Sequence, residues 1–541
     1  MSTRKKPKKK ATNLKYSSTP LLQRASKYAP YCLITVIFAS IYFYSFDSKL
    51  SLNGDNASYY LLGKSIHMGA GYNLYSDLYA KPHSHFPPGY PLLIAIGMLI
   101  DSSPTFIKFL NGLFLLASLL LVFKFYRLLV KNQITALVAV TILAFNYHLV
   151  KHSVIMLSEI PFLFFSLLTI WWLSKIDFSK VFWKNLHFYL FLVCLSFAFH
   201  IRTAGITLLG GILLFLLLEK KWKGIILTIA GFGLLAMPWM IRGWVLGLSS
   251  SYQKQLLSIN PYRPELGMAE WGDFLLRIQT NFVRYLNYEI PSSLLPFIEV
   301  NYKATPTWHN WLLGGALLLL MIIGISKLRS YRFLILGYLG GTFVVLLLWP
   351  EVWFGIRFLL PLLPFMLLLL ILGLSTLLSA LFNLSRLAPY APYISLLVLP
   401  LLLLYTSSYE RSPDKNVNSY PLTRLKVEAN YIYPHNWQRY FDMAKYAKDN
   451  LPKSAIIACR KPELFHIFSD RFTCKYPFEE DQQKLLDGLK DRQVKYVVVD
   501  QLGFSSTNRY LVPAINNNKN RFRRQLILEN PTTYLLEFLS N

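Results

Sequence analysis

The sequence predicts a polytopic α-helical membrane protein with a soluble α/β domain at its C-terminal end. Three observations lead there. Hydrophobic residues make up 54% of the 541, charged residues only 16%, and the mean hydropathy is +0.36, too apolar for an ordinary soluble chain. Apolar runs approaching the ~20 residues that a bilayer requires recur from Pro30 onward. Beyond residue 406 the runs give way to polar sequence with short strand-like patches.

Residues 1–29 form a basic tail with Arg4, Lys5, Lys6, Lys8, Lys9, Lys10 and Lys15 ahead of any apolar run. No small-residue cleavage site follows the first run, Pro30 to Phe46, so that helix is retained. The first loop, 47–103, opens with Asn53-Gly54 as a turn before an amphipathic helix through Tyr59, Leu62 and Ile66. It closes with Pro88 to Ile100, which is short, holds Pro91 and reads as a juxtamembrane helix.

Further runs are Pro104 to Phe123, Ile134 to Tyr147, Val154 to Leu173, Leu186 to Phe199 and Ala204 to Leu218. They continue with Gly224 to Met240, Trp311 to Ile325, Phe333 to Trp349, Phe358 to Leu378 and Tyr393 to Tyr405. The expected total is about eleven spans in a membrane domain of residues 30–406. With the Pro88 run lying flat and the N-terminus cytoplasmic, Lys124/Arg127/Lys131, Lys175/Lys180/Lys184, Lys220/Lys221/Lys223, Lys327/Arg329/Arg332 and Arg386 all fall inside. This positive-inside arrangement accounts for the net charge of +28 and argues against nucleic acid as a partner.

The same parity places the first loop, the second large loop (249–310) and residues 407–541 outside the cytoplasm. The last segment reads as an α/β domain: strands at Ala455 to Ala458 and Tyr496 to Asp500, a helix from Asp481 to Lys490 between them, and a closing hairpin through Arg524 to Glu529 and Thr533 to Phe538. Whether Cys459 and Cys474 pair is left open by the sequence. No internal repeat is visible.

Asp55, Glu159, Arg202, Glu351 and Arg357 come from different helix ends yet fall at one membrane boundary. Ionisable groups there are candidates for function. Asp55 reads either as a helix cap or as a general base taking a proton from an attacking hydroxyl. Lys81-Pro-His83-Ser-His85-Phe-Pro-Pro-Gly-Tyr-Pro91 reads as a stiff turn with exposed histidines or as a phosphate holder. His83 and His85 have metal-ligand spacing but lack an evident third ligand. Glu159 caps a helix on the simple reading, and Arg202 and Arg357 either snorkel to headgroups or bind a phosphate.

Asp55, Lys81-Pro82, Phe86-Pro-Pro-Gly-Tyr-Pro91, Ser158-Glu-Ile-Pro161, Arg202-Thr-Ala-Gly205 and Arg357-Phe-Leu-Leu-Pro-Leu-Leu-Pro364 stand in an order that resembles the GT-C superfamily of integral-membrane glycosyltransferases. The branch is that of protein O-mannosyltransferases and bacterial aminoarabinose transferases. The resemblance implies an inverting transfer from a polyprenyl-phosphate-linked sugar to an extracytoplasmic acceptor, lipid, glycan or protein, in contact with membrane lipids. It implies Asp55 as the base, Lys81, Arg202 and Arg357 as neutralisers of the departing lipid phosphate, and Glu159 as the group positioning acceptor or sugar. His83, His85 and Tyr59 are further candidate substrate contacts. Many relatives carry two adjacent acidic residues where this chain has Asp55-Asn56, so no metal or other cofactor is expected. Compact size and the absence of an obvious retention signal point to a bacterial plasma membrane. The rival readings are a transporter or flippase of a lipid-linked substrate, for which polar groups would lie at mid-membrane, and a non-catalytic scaffold, for which the boundary charges would lie apart.

Overall fold

The computed structural model describes residues 20–46, 50–52, 54–80, 82–130, 132–248, 251–381 and 433–540. Helix α1 (Pro20–Ser45) starts inside the predicted tail, since Pro20 and the residues after it can head a helix before the apolar run begins. The first loop folds as α2 (Gly54–His67) and the short α3 (Gly89–Gly97), the latter matching the expected juxtamembrane helix. There follow α4 (Pro104–Val130), α5 (Gln133–Ala144) and α6 (Tyr147–Ser153), the last two bent by 59°. Asn132 and Asn146 cap them by accepting from backbone N–H groups, and Asn146 interrupts the predicted run at the bend.

Next are α7 (Glu159–Leu173), α8 (Leu186–Ile201), α9 (Gly205–Leu218) and α10 (Trp222–Val245). The second large loop contains α11 (Ser251–Leu257), the amphipathic α12 (Trp271–Arg284) and α13 (Ile290–Leu294). After α14 (Trp308–Lys327) and α15 (Arg332–Leu348) the predicted continuous helix from Phe358 instead makes two 3-10 turns, Ile356–Phe358 and Leu360–Leu362. Only then does α16 (Leu363–Leu381) begin, because Pro361 and Pro364 cannot donate to a preceding turn.

Among the described residues five helices are long and apolar enough to cross a membrane, or six if α5 and α6 form one span. The shorter apolar helices α7, α8, α9 and α15 pack with them. These helices make the chain an integral membrane protein. The predicted run Tyr393 to Tyr405 and the predicted boundary at 406/407 lie outside the described residues. Small residues let the helices meet: a side chain at Gly324 of α14 would strike Leu369 of α16, and one at Gly373 would strike Leu320.

The C-terminal region forms a five-stranded sheet in the order β2-β1-β3-β5-β4. Its strands are β1 (Ile456–Ala458), β2 (Phe472–Cys474), β3 (Tyr496–Val499), β4 (Phe522–Leu528) and β5 (Thr533–Phe538). The first three are parallel, and the closing hairpin is antiparallel. Helices Pro462–Ser469 and Gln482–Asp491 make the crossovers, and His435–Asn450 packs beneath. The predicted strands, helix and hairpin are all present, with β4 starting at Phe522 rather than Arg524. Strand β2 and the helices at 435–450 and 462–469 were not anticipated. Cys459, just after β1, and Cys474, on β2, are free buried thiols.

This domain is seated directly on the membrane domain. Tyr59, Tyr60, Met156 and Phe162 share one apolar core with Trp437, Tyr440, Phe441 and Phe465. The Tyr433 hydroxyl donates to the Leu50 carbonyl at 2.8 Å, Thr473 N–H donates to the Ser76 carbonyl at 2.7 Å, and Arg492 pairs with Asp77 at 3.0 Å.

Candidate active site

Between the two domains lies a cavity of about 1310 Å³, lined from the first loop, the ends of α8 and α15, the second large loop and the C-terminal sheet. Pockets for single drug-sized ligands measure roughly 300–1,000 Å³. The space therefore suits two substrates meeting better than one small molecule.

Asp55 sits in the first turn of α2, where a carboxylate is favoured by the helix dipole, with its side chain open to the cavity. Its Oδ2 accepts from Arg357 Nη1 at 2.9 Å. Arg357 reaches it because the 3-10 turn after Gly355, whose φ of 128° suits only glycine, aims the chain back toward the first loop. Glu159 lies in the first turn of α7, 1% exposed, and its Oε1 meets Arg202 Nη1 at 2.7 Å. Arg202 also donates to Ser158 Oγ at 3.0 Å, and that oxygen lies 3.0 Å from the Tyr59 hydroxyl.

A scaffold beneath holds these ends. Tyr90 donates to Asn111 Oδ1 at 3.1 Å, and Asn111 Nδ2 donates to the Ile155 and Leu157 carbonyls at 2.6 and 3.1 Å, fixing the turn before Glu159. Gly89 lets α3 touch the end of α8: a Cβ there would lie 2.6 Å from the His200 carbonyl carbon, two residues before Arg202.

Asp55, Glu159, Arg202 and Arg357, expected at one boundary, thus line one cavity, and Tyr59 lines it with them. Glu351 stays outside it, its backbone carbonyl accepting from Arg284 at 2.9 Å. Lys81 lies outside the described residues. The histidines are half-buried rather than exposed. The His83 ring accepts from Phe86 N–H at 3.0 Å, and burial, then His85 and Arg242, push it down to about 3, so it supplies no positive charge to a phosphate at neutral pH. His85 stacks on Tyr252 at 4.9 Å, and burial lowers its affinity for a proton as well. Among the described residues no cluster of three His, Cys, Asp or Glu surrounds them.

Several lining residues escaped the sequence reading. Tyr252, on the short α11, faces both ion pairs, and burial pushes its phenol up to about 12. Trp349 and Trp353 wall the cavity, and Arg460, Lys461 and Lys475 enter from the C-terminal domain. Lys461 stands beside the start of α2, its Nζ 3.2 Å from where a Cβ at Gly54 would project. The signal available for Arg460 and Lys461 was their place just after β1, where parallel sheets carry binding residues, whereas Lys475 follows β2, only three residues long.

Comparison with known proteins follows this geometry. Residues 85–241 match the family model for dolichyl-phosphate-mannose-protein mannosyltransferase. Among solved structures, ArnT from Cupriavidus metallidurans bound to undecaprenyl phosphate is similar at a TM-score of 0.56 and 10% identity, over 94% of this chain and 98% of that one. Its apo form gives the same TM-score and identity, over 95% and 98%. At that identity the likeness is one of fold. No curated protein sequence matches the chain. Together the matched stretch and the shared fold support the GT-C resemblance read from the sequence.

Proposed function

We propose that this protein is a glycosyltransferase that moves a sugar from a polyprenyl phosphate to an acceptor hydroxyl with inversion at the anomeric carbon. The observation that carries the reading is the meeting of Asp55, Arg357, Glu159 and Arg202 in a two-substrate cavity at the ends of apolar helices. The matched mannosyltransferase model, and a fold shared with a protein solved with undecaprenyl phosphate, support the lipid-linked donor.

In this mechanism Asp55 takes the acceptor hydroxyl proton as that oxygen attacks the anomeric carbon. The new carbon–oxygen bond forms while the bond to the donor phosphate breaks, and the polyprenyl phosphate leaves with the electron pair. Arg357 and Arg202, with Lys81 of the first loop, offset the charge growing on the leaving phosphate in a site of low dielectric. Glu159, on the turn that Asn111 fixes through the Ile155 and Leu157 carbonyls, holds Arg202 and positions the acceptor or the sugar. Tyr59, His83 and His85 shape the wall against it. The reaction proceeds without a divalent metal, since Asn56 stands where a second adjacent carboxylate would be. The active face is extracytoplasmic in a bacterial plasma membrane, a reading supported by the basic loops on the opposite side.

Purified full-length protein in lipid, offered a panel of polyprenyl-phosphate sugars, should release polyprenyl phosphate, and chelators should leave the rate unchanged. Absence of release with every donor would remove the reading. Polar groups at one boundary, rather than at mid-membrane, count against a transporter.

A further inference from the structure

The cavity carries more positive charge than its own carboxylates can balance. Among the described residues lining it, eight are Lys or Arg and three are Asp or Glu, which leaves five positive charges in excess. Two of the three carboxylates are committed to Arg202 and Arg357. Arg263 and Arg509 share Glu265, just outside the lining, at 2.9 and 3.5 Å; of the cations that remain, Lys254 belongs to the second large loop and Arg460, Lys461 and Lys475 to the C-terminal domain.

That wall has the architecture of a ligand crevice. In the order β2-β1-β3 the chain leaves β1 toward one side, to β2, and returns past it to β3, so the edge between β1 and β3 is where the connections diverge. Open parallel sheets bind ligands at the carboxyl ends of strands at such a point. Arg460 and Lys461 follow β1, Lys475 follows β2, and Phe504, Ser505 and Ser506 follow β3; all six line the cavity. Arg460 is 7% exposed and aimed by its Nε, which donates to Ser506 Oγ at 2.7 Å. Its guanidinium lies over Phe504 at 4.4 Å, the Lys461 ammonium lies over the same ring at 4.8 Å, and Lys475 lies over Phe478 at 5.7 Å. Three cations are thus gathered on two rings, with Glu463 and the buried Asp500 as the neighbouring carboxylates of that domain.

We infer that Arg460, Lys461 and Lys475, with the Ser505–Ser506 turn, form a phosphate-binding subsite that grips an anionic group on the acceptor and presents its hydroxyl to Asp55. Phosphate matches the site because a planar guanidinium and two ammonium groups can share its several oxygens, and hydroxyls can complete the shell. The closeness of Lys461 to Gly54 puts the gripped group next to the proposed base. The assignment of that phosphate to the acceptor rests on the glycosyltransferase reading, whereas the subsite itself does not.

The test uses full-length protein in phosphatidylcholine nanodiscs, with inorganic phosphate as the probe in one arm and undecaprenyl phosphate in the other. Phosphate should bind the unmodified protein by calorimetry, and Lys461→Gln and Lys475→Gln should each weaken it at least tenfold. Undecaprenyl phosphate binding should stay within twofold. Lys475 opens onto the cavity rather than into a packed core, so its variant folds even if Arg460→Gln does not, and thermal unfolding verifies this. Phosphate binding unchanged in both lysine variants overturns the subsite. Loss of undecaprenyl phosphate binding in the same variants overturns the acceptor assignment and gives the cluster to the donor. Protein that binds phosphate here but releases no polyprenyl phosphate from any donor keeps the subsite and discards glycosyl transfer.

Discussion

The two walls of the cavity treat charge in opposite ways. On the membrane-domain wall each named arginine closes on a carboxylate, Arg357 on Asp55 at 2.9 Å and Arg202 on Glu159 at 2.7 Å. On the C-terminal wall Arg460, Lys461 and Lys475 crowd one another, and burial followed by Arg460 and Lys475 pushes the Lys461 ammonium down to about 8. Paired charges fix geometry, because separating them strands a charge away from water. Unbalanced charges mark where a ligand must complete the site. On the proposed reading the membrane wall serves the chemistry and the outer wall the binding.

The comparison breaks first if Asp55→Asn does not separate the walls. That variant should lower transfer by about 10²- to 10⁴-fold, the range of a lost general base, while phosphate affinity and the unfolding temperature hold. Near-normal turnover would return Asp55 to being only a helix cap. Next in size is Arg202→Met, which leaves Glu159 buried without its cation. A loss of about 3–5 kcal/mol is expected, read as a fall in the unfolding temperature, whereas Lys475→Gln should barely move it. Equal stability of the two variants would mean that the walls do not differ in how they bear charge.

A smaller effect probes the scaffold. Gly89→Ala places a methyl 2.6 Å from the His200 backbone, so α3 or the end of α8 has to shift. Overpacking of this kind costs about 1–3 kcal/mol. Because Arg202 follows directly, kcat should fall with stability while phosphate binding at the outer wall stays the same. A fall in phosphate binding instead would show that α3 supports the outer wall.

The same contrast explains what was legible in the sequence. Apolar runs and basic loops marked the helices because the period and length of a span are local properties of the chain. Asp55, Glu159, Arg202 and Arg357 stood out because an ionisable residue beside an apolar run is conspicuous. Arg460, Lys461 and Lys475 were not, since a lysine in a polar domain reads as a solvated surface. Their meaning comes from the β1–β2 register, which pairs Ala458 with Cys474 and so brings residues after two distant strands together. Strand β2 itself, only three residues of Phe472–Cys474, is too short for a periodic signal. Tyr252 was hidden for a similar reason, because only folding of the second loop over the cavity brings it to His85. The predicted unbroken helix from Phe358 gives way to two 3-10 turns ahead of Pro364, and the first of them, after Gly355, carries Arg357.

The finest discrimination between the walls comes from pH. Lys461 faces Arg460, Lys475, Glu463 and Asp55, and Lys475 is shifted in the same direction by burial. An anion favours the protonated ammonium, so affinity is fully present below the free-state value near 8 and is lost as pH rises through it. Sulfate is the suitable probe because its own charge does not change over this range. Asp500, pushed up to about 6 by burial beside Arg460, is largely ionised by pH 7, so above pH 7 the affinity should fall by at most about tenfold per pH unit for each lysine that must be protonated. Replacing both lysines by arginine keeps the charge at every pH used and should flatten the profile. A profile that still falls would put the titrating group elsewhere, on the membrane wall, and the division of labour between the two walls would have to be redrawn.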